Sequence, residues 1–356
     1  MKRRINILKK KIVGNGLDGY LVLNEVNMFY LVGFRGGLRL LIPKDGKSIL
    51  YVSKMNYEAA KDSVKTCIIQ LVDYGEDIDK VLCDQLIDLG LRKIGFDVMD
   101  AQTYMKNVKL QEKLNFYPKR EILWSMRQIK DSKELYFIKK AAEITSKGMR
   151  RALEIVDINK TEKDVVAEIE YELRRNGADS IAFETIVASG PNSAYPHGGS
   201  GNRKLQRGDL IIIDLGAKSN GYCSDMTRTI VLGKPSTKQL KIFEIVKEAQ
   251  QRALEALNEE VTAKNIDAIA RDFIVKKGLG EKFVHGLGHG VGLEVHEPPT
   301  LSPVSKDQLK NGNVVTVEPG IYIPGFGGVR IEDTVAITYG EAEVLTYAPY
   351  ALEKPK

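Results

Sequence analysis

One stretch of this chain is written twice. Leu205-Gln206-Arg207-Gly208-Asp209-Leu210-Ile211-Ile212-Ile213-Asp214-Leu215-Gly216 aligns without a gap on Leu309-Lys310-Asn311-Gly312-Asn313-Val314-Val315-Thr316-Val317-Glu318-Pro319-Gly320. Each copy runs Leu-x-x-Gly, a polar residue, an apolar run, an acid, and then a glycine two places on. A second acid follows in each, inside Asp225-Met226-Thr227 and Glu332-Asp333-Thr334. The helical signals ahead of the copies match as well. Thr161-Glu162-Lys163-Asp164 and Thr262-Ala263-Lys264-Asn265 each look like a capped helix start. Gly177 and Gly278 follow at equal distances, where a left-handed residue closes a helix. Longer helical stretches, Lys133 to Val156 and Lys238 to Leu257, precede both. Each half therefore reads helix, helix, hairpin. Two such halves are expected to pair about a pseudo-twofold axis with sheet inside and helices outside.

The acids of the repeat point to chemistry. Asp214 and Asp225 are symmetric about Ser219-Asn220, next to an Asn220-Gly221 turn signal. Glu318 and Glu332 are symmetric about Gly325. Residues placed so are expected to face each other across two strands, with Cβ atoms ~5 Å apart. Like charges directly opposed destabilise a sheet unless something neutralises them. A divalent cation does so, and four carboxylates suit two of them. The chain has four histidines, all between His197 and His296. His289, in the glycine-rich run Val284-His285-Gly286-Leu287-Gly288-His289-Gly290, breaks the repeat, because at the offset of the helix caps the first half has Ala188. One imidazole among four carboxylates is a hard, oxygen-rich set that fits Mn²⁺, Co²⁺ or Fe²⁺, then Zn²⁺, and disfavours a thiolate site.

Three other histidines and one arginine are candidates for catalysis. His197, in Pro196-His197-Gly198-Gly199, and His296, in Val295-His296-Glu297-Pro298, sit on glycine- and proline-flanked loops that lead into the two copies. Both are read as proton-transfer groups. His285 is placed to orient a ligand. Arg330, two residues before Glu332, shares its strand face and is read as pinning a carboxylate, meeting substrate, or forming a structural salt bridge.

Residues 1–120 form a separate reading. Tyr20 to Leu23 and Lys93 to Phe96 have strand character. Leu38 to Ile42 and Ser48 to Val52 read as a hairpin turning at Asp45-Gly46. Asn56 to Val64 and Ile78 to Leu89 have helical spacing. This makes an α/β domain without a phosphate loop or dinucleotide fingerprint. Proline in Tyr117-Pro118-Lys119-Arg120 marks the expected boundary with a catalytic domain over 121–356.

Charge and cysteine content narrow the partners. Lys and Arg outnumber Asp and Glu by 21 to 15 in residues 1–125 and balance at 32 each in the rest, so the basic excess lies away from the histidines. The cationic residues among the first twelve alternate with Ile5, Ile7, Leu8 and Ile12, the pattern of a solvated helix face, so no nucleic-acid partner is expected. No apolar run approaches the ~18 residues of a membrane span, and none follows the basic N-terminus as a signal peptide requires. Cys67, Cys83 and Cys223 are odd in number and widely spaced, which argues for a reducing, cytoplasmic setting. Cys223 is read as a packing residue.

These residues resemble the metallopeptidases that comprise Xaa-Pro dipeptidase (prolidase), aminopeptidase P and methionine aminopeptidase, which share the pita-bread fold. The resemblance rests on Ser193-Ala194-Tyr195-Pro196-His197, Gly208-Asp209-Leu210 leading to Asp214, and Gly221-Tyr222-Cys223-Ser224-Asp225-Met226-Thr227-Arg228-Thr229. It continues in His285-Gly286-Leu287-Gly288-His289-Gly290, Val317-Glu318-Pro319-Gly320 and Arg330-Ile331-Glu332-Asp333. It implies a pita-bread catalytic domain behind a smaller creatinase-type α/β domain. It implies Asp214, Asp225, His289, Glu318 and Glu332 as ligands to two divalent metals, His197 and His296 as proton-handling or substrate-binding residues, and a homodimer. Glu318, as a ligand, is further expected to move the proton from nucleophile to leaving group. It also implies cleavage of the Xaa-Pro bond of dipeptides, with aminopeptidase P on longer peptides as the alternative and a peptide-binding module as the non-enzymatic one. Dipeptidases of the archaeal type carry an arginine four residues beyond the second-half histidine, where this chain has Thr300.

Overall fold

The computed structural model describes residues 1–353 and divides the chain into two compact units, Met1–Met126 and Arg127–Lys356. The first unit is α/β. Its strands are β1 (Gly19–Val22), β2 (Arg39–Pro43), β3 (Ile49–Ser53), β4 (Ile68–Val72), β5 (Lys93–Phe96) and β6 (Asn115–Pro118), in sheet order β4-β3-β2-β1-β5-β6. The predicted β2–β3 hairpin is there, with Leu41 opposite Ile49 and Gly46 at φ 80°. Both edges, β4 and β6, escape the sequence pattern, because an edge strand buries little: Ile68 is 44% exposed and Tyr117 39%. Pro118 ends β6 and a helix, Arg120–Arg127, follows at once. Tyr20 Oη donates to the Lys119 carbonyl at 2.9 Å and Tyr30 Oη to that of Met126 at 3.1 Å, so the first unit runs on to Met126.

The second unit is the duplication. Helix Ser132–Ile155, helix Glu162–Arg175 and the strands Ile186–Ser189, Leu210–Leu215 and Met226–Val231 make the first half. Helix Thr237–Ala256, helix Ala263–Lys276 and the strands Gly288–Gly290, Val314–Val317 and Asp333–Thr338 make the second. Asp131, Thr161, Ser236 and Thr262 cap these four helices with their side chains. Gly177 and Gly278 lie just beyond the caps at φ 94° and 77°, the left-handed conformation that glycine adopts without strain. Each half buries an apolar core of its own, one around Ile169, Leu173, Ile211 and Ile213, the other around Val246, Ile266, Val315 and Val335. The register repeats too: Ser189 pairs with Ile211 in the first half, and Gly290 with Val315 in the second.

One predicted register is corrected. Asn220 and Gly221, at φ 49° and 82°, are together the two turn residues, so Ser219 pairs with Tyr222. The turn therefore lies one residue later than the sequence suggests. Asp214 consequently faces Thr227, and Asp225 lies two residues along as a diagonal neighbour rather than directly opposite. In the second hairpin the expected symmetry about Gly325 holds, with Gly320 opposite Arg330 and Val317 opposite Asp333.

The halves join along a polar seam. The repeat threonines cross it in both directions. Thr227 Oγ1 donates to Glu332 Oε2 at 2.6 Å, and Thr334 Oγ1 donates to the Asp225 carbonyl at 2.8 Å while accepting from its N–H at 3.0 Å. Beneath them Arg228 and Asp333 form a buried ion pair at 2.9 Å. Asp333 also accepts from Thr346 Oγ1 at 2.8 Å, Gln250 Nε2 at 3.0 Å and the Tyr350 hydroxyl. Removing one partner of such a pair leaves the other charge buried. Asp333→Ala is expected to cost about 3–5 kcal/mol of stability, read as a lower urea midpoint; an unchanged midpoint would show that the seam does not depend on this pair.

Candidate metal centre

The repeat brings its acids to one place. Asp214 is the penultimate residue of the strand Leu210–Leu215, Asp225 precedes Met226–Val231, Glu318 follows Val314–Val317 and Glu332 precedes Asp333–Thr338. His289 sits in the short strand Gly288–Gly290, at the register position that Ala188 holds in the first half. That strand lies against Val314–Val317 so closely that a Cβ on Gly288 would stand 2.0 Å from the Thr316 carbonyl oxygen. This is what the glycine-rich run provides.

Donor atoms of Asp225, His289 and Glu332 all lie within 4.8 Å of one another. His289 Nε2 is 3.7 Å from Asp225 Oδ2 and 3.3 Å from Glu318 Oε1. Its other nitrogen, Nδ1, is 3.1 Å from the Gly290 carbonyl, which fixes the tautomer that leaves Nε2 with a free lone pair. Asp214 lines the same cavity, with Oδ2 held by Arg330 Nη2 at 2.6 Å. Asp214 Oδ1 and Asp225 Oδ1 are buried and have no hydrogen-bond partner among the described residues. Buried acceptors without donors are costly. Four converging carboxylates and one neutral imidazole fit divalent cations.

The electrostatics of the protein alone agree. Burial, with Glu332 and Asp214 close by, raises the Asp225 carboxyl far above the usual carboxylate range. Burial, then the charge of Glu318, does the same to Glu332. Glu318 is pushed up to about 8, chiefly by burial, with Arg330 opposing. Burial lowers His289 to about 3, helped by His296, so the imidazole is neutral.

Around these donors lies a cavity of about 540 Å³, lined by Phe183, Ile186, His197, His285, His296 and Thr300 among others. His197 and His296 are both exposed on loops, and the His296 ring also packs beside His289 with ring centroids 4.2 Å apart. Burial lowers the pKa of His296 as well. His285 touches none of the acids. Its Nδ1 faces the Gly286 carbonyl at 2.7 Å and its Nε2 the Tyr322 hydroxyl at 3.0 Å. Arg330 Nη1 donates to that hydroxyl at 2.9 Å, so His285 reaches Asp214 through Tyr322 and Arg330. The sequence reading missed Tyr322, because an aromatic residue in a strand looks like core. Thr316, which donates to Glu318 Oε1 at 3.2 Å, was hidden for the same kind of reason: it sits inside an apolar run. Thr227 was legible, since the Asp-x-Thr repeat contains it. Cys223 is buried, and burial pushes its thiol up to about 12, as a packing residue requires.

Family models agree with both units. The model for metallopeptidase family M24 matches residues 137–339, and that for the creatinase/prolidase N-terminal domain matches residues 4–129. The chain is 42% identical over 349 residues to the Xaa-Pro dipeptidase of Pyrococcus furiosus, covering 97% of this chain and 98% of that protein. Among solved structures it is similar to the prolidase from Pyrococcus horikoshii OT3, with TM-score 0.92, 38% identity, and 98% and 99% of the two chains covered. It is also similar to the X-Pro aminopeptidase from Thermotoga maritima MSB8, with TM-score 0.86, 36% identity, and 94% and 97% covered.

The buried acids give the metal-free protein a distinctive pH dependence. A carboxyl whose pKa is raised by folding binds its proton more tightly in the native state, so stability falls as pH rises from the unfolded pKa to the native one. For Glu318 that window runs from 4.5 to about 8. Chelator-stripped protein is therefore expected to melt at progressively lower temperature between those pH values, and added divalent metal to flatten the slope. A flat profile without metal would contradict this account of the site.

Proposed function

The chain belongs to metallopeptidase family M24, and from that premise we propose that it is a dinuclear metal-dependent Xaa-Pro dipeptidase. One observation carries the reading: four carboxylates, three buried and Glu318 partly so, converge with one neutral imidazole on a cavity that three further histidines line. Asp214, Asp225, His289, Glu318 and Glu332 hold the cations. Bound there, the cations supply Lewis acidity and an ionised water near neutral pH.

The residues of the chain do the rest. Glu318 takes the proton from the attacking water and delivers it to the proline nitrogen as the C–N bond breaks, so that water is added across the amide. Thr316 orients Glu318 by donating to its Oε1. His197 and His296 donate hydrogen bonds to the substrate and to the oxyanion that forms at its carbonyl. Partial burial lowers the pKa of His296, whose ring stands against the imidazole of His289. Arg330 pins Asp214 and is itself fixed by Tyr322 and, through Nε, by Thr227 Oγ1 at 3.2 Å. His285 completes that chain of hydrogen bonds and acts on the substrate only through it. A proline nitrogen in an amide has no N–H, so recognition rests on the carbonyl and on the ring. Phe183 and Ile186 supply apolar wall for the ring.

Mn²⁺ or Co²⁺ belongs to this reading, with Fe²⁺ and Zn²⁺ behind them, because an imidazole ligand suits transition metals better than Mg²⁺. A cytoplasmic setting is supported by three free cysteines at Cys67, Cys83 and Cys223. No helix among the described residues is long and apolar enough to cross a membrane. The homodimer enters on the resemblance.

Thr300, exposed on the cavity wall, favours a second reading, aminopeptidase P acting on longer peptides. It places a hydroxyl where a cation would grip a dipeptide carboxylate. A single assay separates the readings: chelator-treated enzyme with Mn²⁺, Co²⁺ or Mg²⁺ restored, offered an Xaa-Pro dipeptide and an Xaa-Pro-Yaa tripeptide. The dipeptide is expected to be cleaved, with Mn²⁺ or Co²⁺ restoring more activity than Mg²⁺. Cleavage of the tripeptide alone moves the assignment to aminopeptidase P. An undiminished rate without metal would refute both.

A further inference from the structure

His197 is exposed, and among the described residues no hydrogen bond holds its side chain. Its place in the cavity is therefore set by the loop that carries it. That loop leaves the sheet at Ser189, makes a 3-10 turn over Gly190–Ala194, passes Pro196 and His197, and runs back past Gly201 toward the strand Leu210–Leu215. One fully buried carboxylate spans its two stems. Glu162 Oε1 accepts from the Ser189 N–H at 2.8 Å, the Ser189 hydroxyl at 2.6 Å and Asn192 Nδ2 at 3.2 Å. Glu162 Oε2 accepts from the Gly201 N–H at 2.8 Å. The N–H groups at the same helix start donate back to the returning stem, from Glu162 to Arg203 at 3.1 Å and from Lys163 to Gly201 at 3.2 Å.

The duplication supplies a control. The position that Glu162 holds after the Thr161 cap is held by Ala263 after the Thr262 cap, and it too is fully buried. The second half builds the same two helices and hairpin without an acid there, so the scaffold does not require one. The half that has the acid is the half whose loop presents His197. From this we propose that Glu162 is a positioning residue for His197. It fixes the distance between the loop stems and hence the direction in which the imidazole enters the cavity. The inference rests on the substrate-holding role assigned to His197 above.

A double-mutant cycle on the metal-loaded enzyme tests it, with amide hydrogen exchange on the same proteins. Misplacing a catalytic group by about 1 Å costs up to ~10²-fold, so Glu162→Ala is expected to lower kcat roughly 10–100-fold with a smaller change in KM. His197→Ala is expected to lower it roughly 10²–10³-fold. In the His197→Ala background, Glu162→Ala should cost almost nothing more, because the group it positions is gone. Glu162→Gln keeps an oxygen for Ser189 but cannot accept from Gly201, and should lose less; it also serves if the alanine variant does not fold. Amides of 190–200 should exchange faster in either Glu162 variant, while those of Leu210–Leu215 stay protected. The same fold loss in both backgrounds, or unchanged exchange across 190–200, would overturn the proposal. If the unmodified enzyme cleaved no Xaa-Pro peptide, the functional reading would fail, and the exchange result would still decide whether Glu162 holds this loop.

Discussion

Four carboxylates are forced together where the two halves of the repeat meet, and most of the second unit is arranged around that repulsion. Each half brings two acids because each half is the same helix–helix–hairpin unit. Burial and mutual charge push Asp225 and Glu332 far above their ordinary range. A protein without a use for this arrangement would be more stable with amides or apolar groups there. The seam is braced accordingly. Thr227 and Thr334 reach across it in opposite directions, and Arg228 with Asp333 ties the strands behind the site.

The repeat is also where the halves part company, and function lies in the differences. His289 stands where the first half has Ala188, which turns four oxygen donors into a set with one nitrogen. Glu162 stands where the second half has Ala263, and its carboxylate ties both stems of the loop carrying His197. In the second half, Glu297, next to His296, is buried between Arg127 and Lys130, the latter at 2.9 Å. Duplication thus supplies a frame with paired acids, and the two departures from symmetry at His289 and Glu162 fall at the candidate metal centre and at the loop that carries His197.

How much of this was readable follows from what each feature does to the sequence. The repeat, the caps at Thr161 and Thr262 and the acid positions are legible because backbone geometry demands particular residues there. The Asp214–Asp225 register was read one turn residue too early, because Ser219-Asn220 and Asn220-Gly221 are both plausible turns and only the φ angles choose between them. Edge strands β4 and β6 were invisible, since exposed edges carry no burial pattern. Tyr322 was missed because its role depends on Arg330 and His285, which are brought to it only by folding. The roles of Thr316 and Glu162 share that property. A partner brought in by tertiary structure leaves no local trace.

The proposed function depends on the five donors Asp214, Asp225, His289, Glu318 and Glu332 forming a site for two divalent cations. Equilibrating stripped protein with Mn²⁺, removing free metal and measuring the bound ion per chain tests it most directly. Two Mn²⁺ per chain are expected, with release as pH falls and the carboxylates protonate. One ion per chain would contradict the dinuclear site, and none would leave the buried acids without the partner on which this reading depends.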